Sequence, residues 1–315
     1  MRVASRVPTE YKDLPILDYL SQRFTYVSRE EWQRRIEKGD VYRNDIPCDL
    51  GTVVRQADVI ACDIPDFTPP DISLDYHIVY EDEWLLGINK PPNLRVHGQG
   101  KWTTANLIYH LRNEHIPAYP QAELVNRLDA DTSGIVLMAL DKETLRQMSR
   151  LFQDHQVTKT YLAVVHGVPV PASGLIDLPI GPVKGEKVKV RQGVGADAVT
   201  RPAQTRYEVV RRWEDQFALV RLWPESGRTH QLRIHMAASG HPLVGDALYQ
   251  LDDEAFLGWH RGEVAHDMLL DRQALHCLEN RFTHPRTGAN CLISAPLPPD
   301  MKELLARLDK DFTTS

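Results

Sequence analysis

The feature that most constrains this chain is a change of pattern near residues 66–71. Before it, apolar residues recur at helical spacing; after it, they recur in short β-like runs. Leu14, Leu17, Leu20 and Phe24 share one helical face, which predicts a helix over 14–24. Ser28 precedes a second helix over 29–38, with Glu31 at its third position as in a capping box, and Gly39 ends it. Short β-like pieces follow around 41–42, 53–54 and 59–60. The stretch Asp66-Phe-Thr-Pro-Pro-Asp71 has two prolines and no periodicity, the composition of a linker. The division expected is a small module over 1–65, a linker over 66–75 and a large domain over 76–315.

From Tyr76 onward the pattern is mostly β. Strands over 78–80 and 84–88 pair across Glu81-Asp-Glu83, and Asn89-Lys-Pro-Pro92 stops the ladder because proline cannot donate to it. Helices are expected over 103–112, 141–153, 229–238 and 300–308, and strands over 160–165, 188–191, 203–210 and 217–222. Such interspersed elements imply an α+β fold. At 315 residues the chain is long enough for one large domain and a small one. No apolar run approaches membrane-spanning length and residues 1–11 lack an apolar signal core, so the cytoplasm is expected and a membrane is not. Cys48, Cys62, Cys277 and Cys291 stand far apart with no Cys-x-x-Cys pair, which reads as reduced thiols. His230 and His235 are five apart, not the four that set two ligands on one helix face. No metal is expected.

A net charge of −6 does not advertise a nucleic-acid binder. A local basic face is enough for phosphate contacts, however. Lys184, Lys187, Lys189, Arg191, Arg201, Arg206, Arg211 and Arg212 lie in one stretch with few acids; a solvated hairpin face is the plain alternative. Near the start, Arg23, Arg29, Arg34, Arg35 and Lys38 crowd one side of the helix pair. Helix, helix with Ser-Arg at its start, Gly, then short strands resembles the small alpha-L RNA-binding module. That module closes its last strand with a Gly-Asp pair after a basic residue, where this chain has Arg55-Gln-Ala57-Asp58. The resemblance implies RNA contacts from Arg29, Arg34, Arg35 and Lys38; a helical cap without RNA contact is the alternative.

Three segments carry chemistry. The first is Leu124-Val-Asn-Arg-Leu-Asp129-Ala-Asp-Thr-Ser-Gly134, followed by the apolar Ile135-Val-Leu-Met-Ala-Leu140. Its middle is rich in turn formers and reads as a plain turn. It also admits a Mg²⁺ pair from Asp129 and Asp131, an aspartic-protease triplet with its glycine one place late and no second copy, or a single nucleophilic or basic carboxylate with an arginine beside it. The second is Lys159-Thr-Tyr161-Leu-Ala-Val-Val-His-Gly167, a strand whose tyrosine is either packing or a platform for an extracted base. The third is Glu225-Ser-Gly-Arg228-Thr-His-Gln-Leu-Arg233-Ile-His235, then Gly240-His-Pro-Leu-Val-Gly-Asp246-Ala-Leu-Tyr249. An arginine inside an apolar helix must be paired, so Arg233 is either a structural salt bridge or a partner for Asp129.

In this order and at these intervals the three segments resemble the RluA family of RNA pseudouridine synthases. Leu275-His276 and His284-Pro-Arg-Thr-Gly288 extend the likeness towards the C-terminus. The resemblance implies the pseudouridine synthase fold, a mixed and mostly antiparallel sheet, and isomerisation of uridines in rRNA or tRNA after base flipping. It makes Asp129 the essential aspartate, Tyr161 the base-stacking tyrosine and Arg233 its basic partner. Arg127 contacts the RNA or fills the gap left by the flipped nucleotide, Leu275 packs under the base, and Arg228 binds substrate. Lys187, Lys189 and Arg191 hold the RNA backbone. Asn126 stands where most members have histidine, which implies altered RNA contacts or loop packing rather than lost catalysis. The isomerisation is redox-neutral and hydrolyses nothing, so no cofactor is called for; Gly193-Val-Gly195 lacks the rest of a dinucleotide fingerprint. The partner is RNA and the state expected is a monomer. Two other readings remain: a non-catalytic RNA-binding or RNA-folding protein using the same pocket, and a metal-dependent hydrolase built on Asp129 and Asp131.

Overall fold

A computed structural model describes residues 2–24, 27–63, 68–98, 100–183, 188, 190–195, 200–265 and 268–312. They fall into two compact units, Met1–Asp71 with Gly98–Ala105, and Ile72–His97 with Asn106–Ser315.

In the first unit, helices Ile16–Arg23 and Arg29–Lys38 accompany a four-stranded antiparallel sheet. The caps are as the sequence predicts. Ser28 Oγ accepts from the Glu31 N–H at 3.2 Å, and Gly39, at φ 80°, takes the left-handed C-cap. Ile16, Tyr19, Leu20, Trp32 and Ile36 face a core shared with Val41, Val54 and Ile60. Residues 53–54 are not a strand; Val53 forms only an isolated bridge with Pro15. A strand at Arg2–Arg6 pairs with Val59–Asp63 instead. Asp58 is buried and accepts from Arg43 Nε at 2.6 Å, Asn44 Nδ2 at 2.8 Å and the Arg55 N–H at 2.7 Å. Ala57 just before it adopts φ 66°, a conformation natural to glycine.

The second unit is α+β, built on one large and mostly antiparallel sheet. Its strands run Ser173–Asp177, Gln204–Trp213, Phe217–Pro224, Thr158–His166, Leu275–Thr283, Ser133–Ala139, Leu85–Lys90 and His77–Glu81. Asn290–Ser294 joins Leu275–Thr283, and Glu123–Leu124 joins Ser133–Ala139. Side chains alternate across this sheet. Tyr161, Ala163 and Val165 enter the main core with Ala218, Val220 and Leu222. Val164 and Phe217 point the other way, onto the C-terminal helix Pro299–Asp311 through Met301, Leu304 and Leu308. Ser133–Ala139 is buried along its whole length, as a central strand of uninterrupted apolar residues should be.

One pairing in the large sheet is parallel: His276 with Ser133 and Cys277 with Gly134. There the backbones approach so closely that a Cβ on Gly134, at φ 109°, would lie 2.1 Å from the Cys277 carbonyl oxygen. Glycine therefore lets the turn after Asp129 run straight into the sheet. The strand expected over 188–191 is not formed by its described residues; Gln192–Val194 pairs instead with Ile180–Pro182. The helix expected over 103–112 starts later, at Leu107, capped by Asn106 accepting from the Tyr109 N–H at 3.0 Å.

Candidate active site

Asp129 opens a turn in which its carbonyl accepts from the Thr132 N–H at 3.2 Å. The next four residues are each held by a side chain from elsewhere in the unit. The Ala130 carbonyl accepts from Lys90 Nζ at 2.8 Å, and Lys90 also donates to the Pro91 carbonyl at 2.7 Å. The Asp131 carbonyl accepts from Arg272 Nη1 at 3.0 Å, while Arg272 grips both Asp300 oxygens at 2.6 and 3.0 Å. Thr132 Oγ1 accepts from Gln273 Nε2 at 3.2 Å, and Ser133 Oγ meets His276 Nδ1 at 3.0 Å. Lys90 is fully buried, and burial pulls its pKa down to about 7. Even as a neutral amine it keeps a proton for each carbonyl. The loop carrying Asp129 is thus pre-organised before any substrate arrives.

Arg233 lies on helix Gln231–Ala238 and is only 7% exposed. Its Nε and Nη2 donate to the two oxygens of buried Asp246 at 2.6 and 2.7 Å, and Nη1 donates to Asp129 Oδ2 at 3.1 Å. Arg233 therefore pairs with Asp246 and Asp129 at once. Burial disfavours the guanidinium charge, but Asp246 and Asp129 outweigh it and leave the Arg233 pKa raised. Asp246 was present in the motif but given no role. Its turn depends on Gly245, at φ 76°, where a Cβ would lie 2.0 Å from the Arg272 carbonyl oxygen. Two further neighbours also went unassigned. The Tyr249 ring lies under Arg233, 5.0 Å from centroid to guanidinium carbon, and His230 Nε2 lies 3.9 Å from Asp129 Oδ2.

Tyr161 and Leu275 stand on neighbouring strands, Tyr161 opposite Cys277 and Leu275 opposite Ala163, and both belong to the main core. Burial and then the Cys277 thiol push the Tyr161 pKa well up, with a smaller push from Asp129, so the ring is a neutral phenol near the carboxylate. Burial likewise pushes Cys277 up to about 12. Lys159, two residues before Tyr161, donates to the Ser226 carbonyl at 2.9 Å, and burial draws its pKa down to about 8. It ties the Tyr161 strand to the loop ahead of Arg228. Arg127 is exposed, and Arg228 is half-buried, its Nε donating to the Pro202 carbonyl at 3.2 Å. Among the described residues no three His, Cys, Asp or Glu side chains gather as metal ligands.

Residues 85–238, which include Asp129, Tyr161 and Arg233, match the family model of RNA pseudouridylate synthases. The ribosomal large subunit pseudouridine synthase C of Pasteurella multocida is 37% identical over 235 residues, 75% of this chain and 68% of that protein. An uncharacterised RNA pseudouridine synthase of Chlorobaculum parvum is 34% identical over 314 residues, 94% of each chain. The chain belongs to the RluA family of RNA pseudouridine synthases. As a pseudouridine synthase it is an isomerase. The fold agrees: human RNA pseudouridylate synthase domain containing 4 superposes with a TM-score of 0.56 at 29% identity, covering 74% of this chain and 92% of that one.

Within this RluA-family chain, Asn126 is a ladder residue. The Val125 N–H donates to the Leu137 carbonyl at 3.0 Å, continuing the pairing of Glu123–Leu124. The Asn126 side chain then takes over from the backbone. Its Oδ1 accepts from the Leu137 N–H at 2.7 Å and its Nδ2 donates to the Ile135 carbonyl at 3.4 Å. Asn126 thus packs its loop onto the strand Ser133–Ala139.

The basic residues divide. Lys184, Lys187 and Lys189 lie outside the described residues. Arg191 is held within the second unit. Its side chain is only 14% exposed, pairs with Asp253 at 2.9 Å and donates to the Leu251 carbonyl at 3.0 Å, so it anchors the strand Gln192–Val194 to the helix Asp253–His260. In the first unit, Arg29 pairs with Asp18 at 2.7 Å, and Arg34 and Arg35 with Glu31 at 2.6 and 2.8 Å. Three of the four cations are thus ion-paired, two of them sharing Glu31, while Lys38 is exposed.

Proposed function

We propose that this chain converts particular uridines of a folded ribosomal RNA to pseudouridine, with Asp129 as the essential carboxylate. The observation that carries the reading is the array Asp129–Arg233–Asp246. A partly exposed carboxylate is held by a buried guanidinium that a second, fully buried carboxylate keeps in place. The name of the Pasteurella multocida relative supports ribosomal RNA over tRNA as substrate. A ribosomal RNA substrate in turn supports work in the cytoplasm, and among the described residues no helix is long and apolar enough to cross a membrane. The chain acts as a monomer in this reading.

The reaction breaks the N1–C1′ bond of uridine, turns the uracil and joins C5 to C1′; the C5 proton leaves and N1 gains one. A uridine inside a helix cannot reach Asp129 without leaving its stack, so the base must be flipped. Tyr161 then offers its ring to the base and Leu275 packs beside it. Arg127 contacts the RNA at the rim or fills the gap left by the flipped nucleotide. Arg233 sets the orientation of the carboxylate through Oδ2. Asp129→Asn should abolish pseudouridine formation, mapped in total ribosomal RNA from cells carrying only the variant, while RNA binding persists. Pseudouridines retained at wild-type positions in that strain would overturn the assignment.

A further inference from the structure

One ionisable group beside Asp129 has no part in the reading above. His230 stands at the N-cap of helix Gln231–Ala238 with φ 56°, a left-handed conformation uncommon for histidine, yet its side chain does not cap the helix. Nδ1 lies 2.8 Å from the Tyr249 hydroxyl, and Nε2 faces Asp129 Oδ2 at 3.9 Å. The Gln192 N–H donates to the same Tyr249 oxygen at 3.3 Å. A phenol that accepts there can give its own proton to Nδ1, which leaves the neutral imidazole protonated on Nε2, the nitrogen that faces the carboxylate. Burial, reinforced by the neighbouring Arg233 guanidinium, lowers the His230 pKa against the opposing pull of Asp129 and Asp246. The ring therefore adds a donor without adding a second full charge. Arg233 Nη1 meets the same Oδ2 at 3.1 Å, and among the described residues no hydrogen bond reaches Oδ1.

We propose that His230, its tautomer set by Tyr249, is a positioning residue that works with Arg233 to hold Oδ2 of Asp129 and so leaves Oδ1 as the oxygen presented to the uridine. This rests on the pseudouridine synthase reading of Asp129. The 3.9 Å gap is longer than a hydrogen bond and closes when bound RNA expels water, as catalytic contacts in unliganded enzymes commonly do. Arg233 supplies the charge and His230 supplies direction.

The test uses three variants of the full chain and release of tritium from RNA labelled at uridine C5, with ribosomal RNA from cells lacking the enzyme as substrate. Gln at 230 places an amide N–H near the position of Nε2; Asn reaches only the position of Nδ1. Tyr249→Phe removes the hydroxyl that sets the tautomer and keeps the ring under Arg233. His230→Asn and Tyr249→Phe should each lose about tenfold in rate at saturating RNA, the lower end for one hydrogen bond to a charged group, with half-saturation unchanged. His230→Gln should retain most of the rate. Equal rates for the Asn and Gln variants, a wild-type rate for Tyr249→Phe, or a loss confined to half-saturation would overturn the inference alone, provided wild type is active and Asp129→Asn is dead. Absence of tritium release by wild type would bring down the functional reading and this inference with it.

Discussion

Arg233→Met isolates what the buried array contributes. Methionine keeps the apolar stem and much of the volume but deletes the guanidinium. Asp246, 2% exposed and bonded to Arg233 through both oxygens, is then left as a buried charge without its cation. Removing one member of such a pair costs about 3–5 kcal/mol, a large part of the roughly 5–15 kcal/mol that stabilises a whole domain. The Asp129 side of the array adds little to this loss, because its side chain is 30% exposed and water can replace Nη1. Adding Asp246→Asn removes the stranded charge, so the double variant should be more stable than Arg233→Met by about 2 kcal/mol, whereas independent sites would add the losses of Arg233→Met and of Asp246→Asn alone to within ~0.5 kcal/mol. Hydrogen exchange at the amides of Gln231–Ala238 under urea reads the second unit alone. Neither variant should form pseudouridine, since Asp129 has lost its partner in both. Strictly additive losses, or an Arg233→Met protein as stable as wild type, would refute the view that Asp246 depends on Arg233.

Two further outcomes follow from single residues. Asn126→Ala leaves the N–H of fully buried Leu137 without its acceptor and should destabilise the second unit by about 1–3 kcal/mol, whereas Asn126→His restores an acceptor at Nδ1 and should keep both stability and pseudouridine formation; urea midpoints and RNA mapping of the two variants decide it. His276, with Nδ1 on Ser133 and Nε2 on the Ala295 carbonyl, has its pKa lowered by burial to about 4. The unfolded chain then binds the proton first as pH falls, so stability is lost from about pH 6.5 down to about 4, by roughly 3 kcal/mol over that window. In a pH series of urea midpoints, His276→Gln should flatten this slope, and an unchanged slope would remove His276 as its cause.

What the sequence made legible was local. Ser28, Glu31 and Gly39 act within a few residues of one another, so the helix of the first unit could be bounded to the residue. The hairpin of His77–Glu81 with Leu85–Lys90 and the helix Lys142–Gln153 were equally open to reading, because turn formers and apolar spacing lie inside each segment. The strands Ser173–Asp177 and Arg2–Arg6 were not: they are strands because Gln204–Trp213 and Val59–Asp63 lie beside them. The strand expected over 188–191 failed for the same reason, since a run of valines and cations has β propensity but its pairing partner takes Gln192–Val194 instead.

The site divides along the same line. Asp129 and Arg233, 104 residues apart, were joined in advance only because two motifs resemble those of one family. Nothing of that kind pointed to Lys90, Arg272 or His276, which grip the same loop from sequence distances of 40 to 143 residues. A lysine before two prolines and an arginine ahead of Gln273 are unremarkable as text; what identifies them is that the fold brings Lys90 to the Ala130 carbonyl, beside the Leu94 N–H at 3.2 Å, and Arg272 to the Asp131 carbonyl. Such donors are needed because Gly134 carries the chain from the turn directly into a central strand, with Cys277 pressed against it. A carboxylate that must be exposed to substrate while its own backbone passes into the core cannot rely on regular secondary structure for support. Buried basic side chains are the remaining donors that reach those carbonyls, and Lys90 serves them whether charged or neutral. His276 grips Ser133 of the same loop, which is why the acid sensitivity assigned to His276 and the catalytic geometry of Asp129 belong to one element.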